Sequence, residues 1–251
     1  MKVTIITVVY NNVRTIEATI QSVLRQTYHD IEYIVVDGVS TDGTIDVIKK
    51  YASSLIFISQ LDNGMYDALN YGINIATGEV IGTVNADDRL ANNNVIEKIA
   101  AHFMHSPNDD CILGDVAFVR EFDPNKIVRY YSSAKFSPTR LAWGFMPAHP
   151  AFYCRRKYFE LLGGYRTDFE IAADYELLIR FLLIHHLQYC YLNMLVVKMN
   201  LGGKSTKNIF STVILNKEIA RACGINGVKT NYFKIYSKYL SKVFEFLLVK
   251  R

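Results

Sequence analysis

Along the first hundred residues, apolar runs of strand character alternate with segments whose apolar residues recur at helical spacing. "KVTIITVVY" reads as a buried strand, "TIEATIQSVLRQ" as a helix with Ile16, Ile20, Val23 and Leu24 on one side, and "IEYIVVD" as a second strand. "TIDVIKKYA" is helical, "LIFISQ" a strand, "MYDALNYGINIAT" a helix and "EVIGTVNA" a fourth strand. Strand and helix in regular alternation predict an α/β fold: a mostly parallel sheet with helices on both faces. Ligands of such sheets bind beyond the carboxyl ends of the strands. Standing there are Tyr10 and Asn11 after the first strand, Asp37 after the second, Asp62 after the third, and Asp87 with Asp88 after the fourth. Adjacent carboxylates raise each other's cost of ionisation unless a cation or several donors lie close. Something must therefore neutralise Asp87 and Asp88.

Beyond residue 108 the pattern changes. "CILGDVAFV" and "KIVRYYS" flank "FDPNK" and predict a hairpin turning there. A short helix around "SPTRLAWG", the segment "MPAHPAFYCRR", a break at Gly163-Gly164 and a helix over "AADYELLIRFLLIHH" follow. With no linker and no repeat, residues 1–203 read as one domain, with a nucleotide half over 1–108 and an acceptor half over 109–203. Residues 204–251 form a basic C-terminal helical segment.

The chain has 251 residues, half of them apolar and only five of them Pro, enough to bury a full core. Cys111, Cys154, Cys190 and Cys223 lie far apart with no C-x-x-C, which argues against a zinc site or a disulfide scaffold and fits a reducing cytoplasm. The N-terminal apolar run ends in Asn11-Asn12 rather than a small-residue cleavage site, so it reads as a strand and not a signal peptide. Arg180 and His185 interrupt the longest apolar stretch, and no membrane span is expected. Charge is uneven: residues 200–251 carry +8 and the rest −4. In "TNYFKIYSKYLSKVFEFLLVKR", Lys234, Lys238 and Lys242 fall at steps of four among aromatic and aliphatic residues. That wheel fits a basic helix lying on an anionic membrane surface, or a helix packed on its own domain. Nucleic acid is not an expected partner, and the absence of G-x-G-x-x-G excludes a dinucleotide-dependent dehydrogenase.

"IITVVYNN", "VVDGVSTDGT", "DNGMYDALNYGINIATGEVIGTVNADD" and "LLGGYRTDFEIAADYELLIR" together resemble the inverting glycosyltransferases of family 2, in order and spacing, over roughly residues 1–203. The resemblance implies a GT-A fold with a Rossmann-like central sheet. "YDALNYGI" and "LGGKST" are similar to the branch that builds bacterial O-antigen, capsule and colanic acid. The Q-x-x-R-W motif of processive synthases is absent, and so is the Gly-rich loop that a sugar-nucleotide pyrophosphorylase carries after its first strand. What the resemblance implies is a metal-dependent transfer of one sugar from a nucleotide diphosphate sugar to a lipid-linked or oligosaccharide acceptor, at the inner face of the cytoplasmic membrane. A catalytically inactive nucleotide-binding or scaffold subunit is the competing reading.

Site roles follow from the same resemblance. Asp88 holds a divalent Mg²⁺ or Mn²⁺ that bridges the diphosphate, and Asp87 meets the ribose or a metal-bound water; on an extended chain the two would point to opposite faces. Where a strict D-x-D has its first acid, this chain has Asn85. Asp37 accepts from the nucleotide base, with Tyr10 and the backbone near Val9 lining the pocket; the donor edge of uracil suits it, so a UDP-sugar is favoured. Gly38 and Gly43 permit a tight turn there, with Thr41 or Asp42 as helix cap. Asp62 and Asp67 complete the nucleotide rim or serve as helix caps. Asp174 is the general base, in a place where the family has an acid pair whose first member is Ala173 here; Glu170 and Glu176 are its rivals. His149 and Trp143 face the acceptor or simply pack, and Lys204, beyond the Gly202-Gly203 hinge, folds over the phosphates or belongs to a plain basic loop.

Overall fold

The computed structural model describes residues 1–201 and 209–239. Strands β1 (Val3–Val9), β2 (Ile31–Asp37), β3 (Ile56–Ser59) and β4 (Val80–Thr83) form where the apolar runs predict them, separated by α1 (Ile16–Leu24), α2 (Thr44–Lys49) and α3 (Met65–Ile75). They pair in parallel in the order β3-β2-β1-β4. Next in the chain come β5 (Arg89–Leu90), α4 (Val95–His105), β6 (Cys111–Arg120), β7 (Asp123–Tyr131), β8 (Phe152–Arg155), α5 (Arg156–Leu162), α6 (Ala173–Leu178), β9 (Tyr189–Asn200) and α7 (Ile209–Ile225). The sheet continues from β4 through antiparallel β8 to β6, β9 and β5, with β7 hairpinned onto β6.

Alternation along each strand divides the core in two. Ile6, Ile34 and Val36 face α3, α5 and α6 through Leu69, Ile73, Phe159 and Leu178. Ile5, Tyr33 and Val35 face α1, α2 and α4 through Ile16, Ile20, Ile48, Ile96 and Phe103. Two glycines let elements approach. A Cβ on Gly82 would lie 2.1 Å from the Tyr153 ring, and one on Gly72 would lie 2.7 Å from Ile6 Cγ2. An alanine at Gly82 would overpack this core, at a cost of about 1–3 kcal/mol.

Two expectations need correction, and the structure bears on a third point that the sequence leaves open. The hairpin turns at Glu121-Phe122, and Asp123–Lys126 belong to β7, where register shifts absorb the proline. The helix expected over residues 172–186 is α6 followed by a wider helical turn at Ile179–Ile184. In the C-terminal segment, residues 232–239 form a helix, α8, whose lysines are not its solvent face. Ile235 and Lys238 are buried, and Lys234 Nζ lies 5.2 Å from the centre of the Trp143 ring. Tyr232, Phe233 and Tyr236 face outward instead. Lys242 lies outside the described residues.

Candidate active site

Two loops at the carboxyl end of the sheet are joined residue by residue. Asn11 N–H donates to Ser40 Oγ at 2.8 Å, and Thr41 N–H donates back to Asn11 Oδ1 at 2.8 Å. Asn12 N–H reaches Thr44 Oγ1 at 2.8 Å, and Val13 N–H reaches Asp42 Oδ2 at 3.0 Å. The bond from the Thr44 hydroxyl holds the Asp42 carboxyl below its usual range. Gly43 takes the N-cap position at φ +97°, and Asp42 satisfies the helix from one residue before it. Val39 sits at φ +62°, a conformation that is costly for a β-branched residue and persists only where neighbours impose it.

Asp37 lies fully buried beneath this loop pair. Its Oδ2 accepts from Ser40 N–H at 3.0 Å and from Ser59 Oγ at 2.7 Å, while its Oδ1 is buried with no hydrogen-bond partner. Buried acceptors are almost always satisfied, so this oxygen is an opening for a donor from outside the chain. Around it, the Val9 carbonyl accepts from Gly38 N–H, Tyr10 is 65% exposed, and Asp62 Oδ2 would lie 2.7 Å from a Cβ at Gly38. Glycine at 38 leaves room for the Asp62 carboxylate to lie against the loop. Asp62 Oδ1 also receives Gly64 N–H, and Asp67 Oδ2 receives Asn63 N–H, so both acids hold the turn into α3.

Asp87 and Asp88 occupy a tight turn rather than an extended strand. Asp88 N–H bonds Asn85 O at 2.9 Å, and Asn85 Nδ2 bonds Asp88 Oδ2 at 2.9 Å. The turn, not strand pleating, makes the two side chains diverge: Asp88 is 2% exposed and Asp87 half-buried. Thr15 and Thr19 fix the turn from α1 by donating to Ala86 O and Asp88 O, and Asn200 Nδ2 holds Asp87 O at 2.7 Å. Burial first, and then the Asp87 charge, push the Asp88 carboxyl up to about 8, against the smaller opposing pull of Asn85. The donor set is all oxygen, which suits Mg²⁺ or Mn²⁺.

Asp174 stands in the first turn of α6, 17% exposed. Its Oδ1 accepts from Tyr175 N–H at 2.8 Å, and its Oδ2 lies 3.2 Å from His149 Nδ1. The structure thus brings together two candidates that are 25 residues apart in sequence. His149 opens the turn before β8, level with the carboxyl end of β4. Tyr66 from α3 donates to Ile171 O at 2.5 Å and stacks on Tyr165. Burial, then the field of Asp174, keep both phenols protonated. Neither rival acid is comparable. Glu176 is buried in an ion pair with Arg180 at 2.9 Å, and Arg180 in turn binds the carbonyls of Leu162, Gly163 and Gly164 at the glycine break. Glu170 meets Glu218 through its backbone N–H.

Residues 4–162 match the family described as Glycosyl transferase family 2. The chain belongs to glycosyltransferase family 2. Over 216 residues it is 29% identical to the PGL/p-HBAD biosynthesis glycosyltransferase of Mycobacterium bovis, covering 84% of this chain and 79% of that protein. An uncharacterized glycosyltransferase of Nostoc is 40% identical over 92 residues, 35% of this chain and 29% of that one. The fold is that of S. aureus TarS 1–349 in complex with UDP-GlcNAc, at TM-score 0.71 and 19% identity, over 98% of this chain and 73% of that one. Mannosyltransferase PcManGT from Pyrobaculum calidifontis, in complex with GDP-Man and Mn²⁺, aligns at TM-score 0.64 and 19% identity, over 93% of this chain and 67% of that one. The GT-A architecture expected from the sequence is therefore present in this glycosyltransferase.

Several residues of this family 2 chain escaped the sequence reading. The Glu218 carboxylate from α7 accepts the backbone N–H groups of Glu170, Ile171 and Ala172 at 2.7, 2.9 and 2.8 Å, holding the segment that leads into the helix bearing Asp174. Arg221, one turn on, binds Asp168 O at 2.8 Å and also its carboxylate. Asn70 bridges α3 to the "GGY" loop, with Nδ2 on Tyr165 O and Oδ1 on Tyr165 N–H, both at 2.7 Å. A Cβ on Gly164 would strike Asn70 Oδ1 at 2.2 Å, which explains the second glycine. No local sequence signal marks Glu218, whose partners lie some 46–48 residues away. Trp143 is 42% exposed rather than buried. Lys204 lies outside the described residues.

Proposed function

We infer that the protein is an inverting transferase that moves one sugar from a nucleotide diphosphate sugar, favoured as a UDP-sugar, to a lipid-linked or oligosaccharide acceptor. The observation carrying this reading is the unpartnered Asp37 Oδ1 under the strand-end rim, at the same end of the sheet as Asp174 with His149. Residues 1–108 then serve the donor and 109–203 the acceptor. Asp37 Oδ1 accepts an N–H of the base, and Ser40 and Ser59 hold that carboxylate in place. Tyr10 covers the base. Asp87 takes the ribose, and Lys204 adds positive charge over the phosphates. TarS complexes with UDP and with UDP-GlcNAc among the structural neighbours support the donor class.

Asp88, with Asp87 beside it, would hold a Mg²⁺ or Mn²⁺, which when bound neutralises the charge of the leaving diphosphate. The PcManGT complex with Mn²⁺ supports a metal. Asp174 takes the proton of the acceptor hydroxyl as its oxygen forms a bond to the anomeric carbon; the bond from that carbon to the diphosphate oxygen breaks, and the nucleotide leaves with the electron pair. A single displacement inverts the anomeric centre. His149 orients Asp174, and half-exposed Trp143 offers a face to the acceptor.

Among the described residues no helix is long and apolar enough to cross a membrane. Tyr232, Phe233 and Tyr236 on α8 give the protein an outward aromatic face suited to the membrane–water boundary, from which a lipid-linked acceptor would be drawn at the inner leaflet. Service in bacterial surface polysaccharide assembly, such as O-antigen or capsule, fits such an acceptor.

Thermal-shift titration with UDP, GDP and their sugars, with and without Mn²⁺ or Mg²⁺, tests the donor assignment, since a ligand bound only by the native state raises Tm. A metal-dependent rise with UDP-sugars and slow donor hydrolysis are expected. A rise without any hydrolysis or transfer would favour an inactive binding subunit.

A further inference from the structure

At the amino-terminal edge of the sheet, opposite the donor rim, the chain brings together a histidine, an aspartate and a cysteine from three elements. His102 lies in the last turn of α4, Asp109 just before β6, and Cys190 at the second position of β9, register partner of Ile112. His102 Nε2 is 2.7 Å from Asp109 Oδ2, and the three ligating atoms all lie within 4.8 Å of one another. All three residues are half-buried. Asp109 is anchored through its carbonyl, which accepts from Arg155 Nε at 2.9 Å. Alongside runs an open groove of about 440 Å³, lined by Lys98, His102, His105 and Met194.

We propose that His102, Asp109 and Cys190 form a Zn²⁺ site separate from the donor site. The donor set decides the ion: nitrogen, oxygen and sulfur together suit borderline-soft Zn²⁺, whereas Mg²⁺ and Mn²⁺ take oxygen sets like that of Asp87 and Asp88. Zinc bonds of about 2.0–2.3 Å place tetrahedral ligand atoms roughly 3.5 Å apart, so closure from the present spacing needs side-chain shifts of about 1 Å. Binding displaces the Cys190 thiol proton to solvent and replaces the proton shared between His102 and Asp109. The groove meets the site at His102, and His105, one turn along α4, also lines it. Such an ion would tie α4, β6 and β9 together at their common edge. Four dispersed cysteines hide this in the sequence, because the site uses only one of them.

The test uses the full-length chain, freed of metal by chelation and then titrated with Co²⁺ and Zn²⁺. Expected are one equivalent of Co²⁺ giving a thiolate charge-transfer band with tetrahedral visible bands, displacement by Zn²⁺, and a rise in Tm on Zn²⁺ addition. Cys190→Ser should abolish the charge-transfer band, and His102→Gln should weaken Zn²⁺ binding at least ~10-fold. Asp88→Asn should leave both unchanged, separating this site from the donor metal. Absence of the band in the wild type, or its persistence in Cys190→Ser through Cys111 and Cys154, would overturn the proposal.

Discussion

The proposed donor rim and the proposed acceptor edge are built on different plans. At the proposed donor rim the acids stand at strand ends and are held by the strands and loops of the parallel sheet: Asp37 by Ser40 and by Ser59 of β3, Asp62 by the turn it starts, and Asp88 by Asn85 in a turn that Thr15, Thr19 and Asn200 fix. At the proposed acceptor edge Asp174 meets His149, and the Glu218 carboxylate of α7 holds the segment leading into its helix. The proposed donor side thus rests on the sheet and its loops. The segment before Asp174 rests in addition on α7, which follows the sheet in sequence. Errors introduced at the rim should appear as lost donor affinity, and errors at the acceptor edge as lost turnover.

The largest effect is expected at Asp88. Asp88→Asn should abolish metal-dependent donor binding and turnover together, and full activity of the wild type in excess chelator would break the assignment. The same residue carries a pH signature. Its folded-state pKa, about 8, lies above the usual carboxylate value of 3.8. The native state therefore holds a proton that the unfolded chain has released, and the stability this contributes is complete below about pH 4 and is lost as pH rises through about 8. In chelator, the wild-type Tm should fall across that window relative to Asp88→Asn, and a divalent ion should reverse the trend. A parallel pH dependence in the two proteins would show that the buried carboxylate is neutralised by something else.

Asp174→Asn comes next. As a general base it should cost ~10²-fold or more in turnover while leaving donor affinity within about threefold. Glu170→Gln or Glu176→Gln giving that signature would move the base, although the ion pair of Glu176 with Arg180 makes its loss a stability effect first.

The same contrast explains what could be read from the sequence. β1 to β4 are short, buried and bounded by polar strand ends, so periodicity and the rim acids both stood out. β9 did not, because residues 189–200 are mostly half-buried and show no clean alternation; β8 is four residues long directly after a short turn containing Pro150. Asp174 became a candidate only through resemblance, and Glu218 was not a candidate at all, since a carboxylate that holds a distant loop leaves no spacing to detect. The lysine stripe left two readings open for a related reason: a wheel gives the faces of a helix but not which face meets the domain, and Lys238 is buried.

Glu218→Gln sharpens the comparison at an intermediate scale. The amide keeps one acceptor oxygen for three N–H groups, so the segment leading into α6 loosens, and with it the placement of Asp174. Turnover should fall ~10-fold with donor KM unchanged, and stability by about 1–3 kcal/mol, the cost of leaving a buried donor unsatisfied. A loss of donor affinity of the same size would mean that α7 supports both halves and that the division between them is wrong.

Ser59→Ala is the smallest change and the most specific to the donor half. The hydroxyl donates to Asp37 Oδ2 at 2.7 Å, leaving Ser40 N–H as the second bond to that oxygen and Oδ1 facing the open position. Removing one neutral-to-charged bond costs about 1.5 kcal/mol or somewhat more in general. Here part of that cost returns, because the freed carboxylate can rotate toward an incoming base and because β3 is an edge strand whose Ser59 is exposed. Donor KM should therefore rise by about threefold to tenfold, while turnover at saturating donor stays at the wild-type level, since Asp174 and its supports lie on other elements. Asp37→Ala removes the acceptor outright and should raise KM well beyond that. If Ser59→Ala lowers turnover at saturation and leaves KM alone, Asp37 does not receive the base, and the rim would have to be reassigned starting from the unpartnered Asp37 Oδ1.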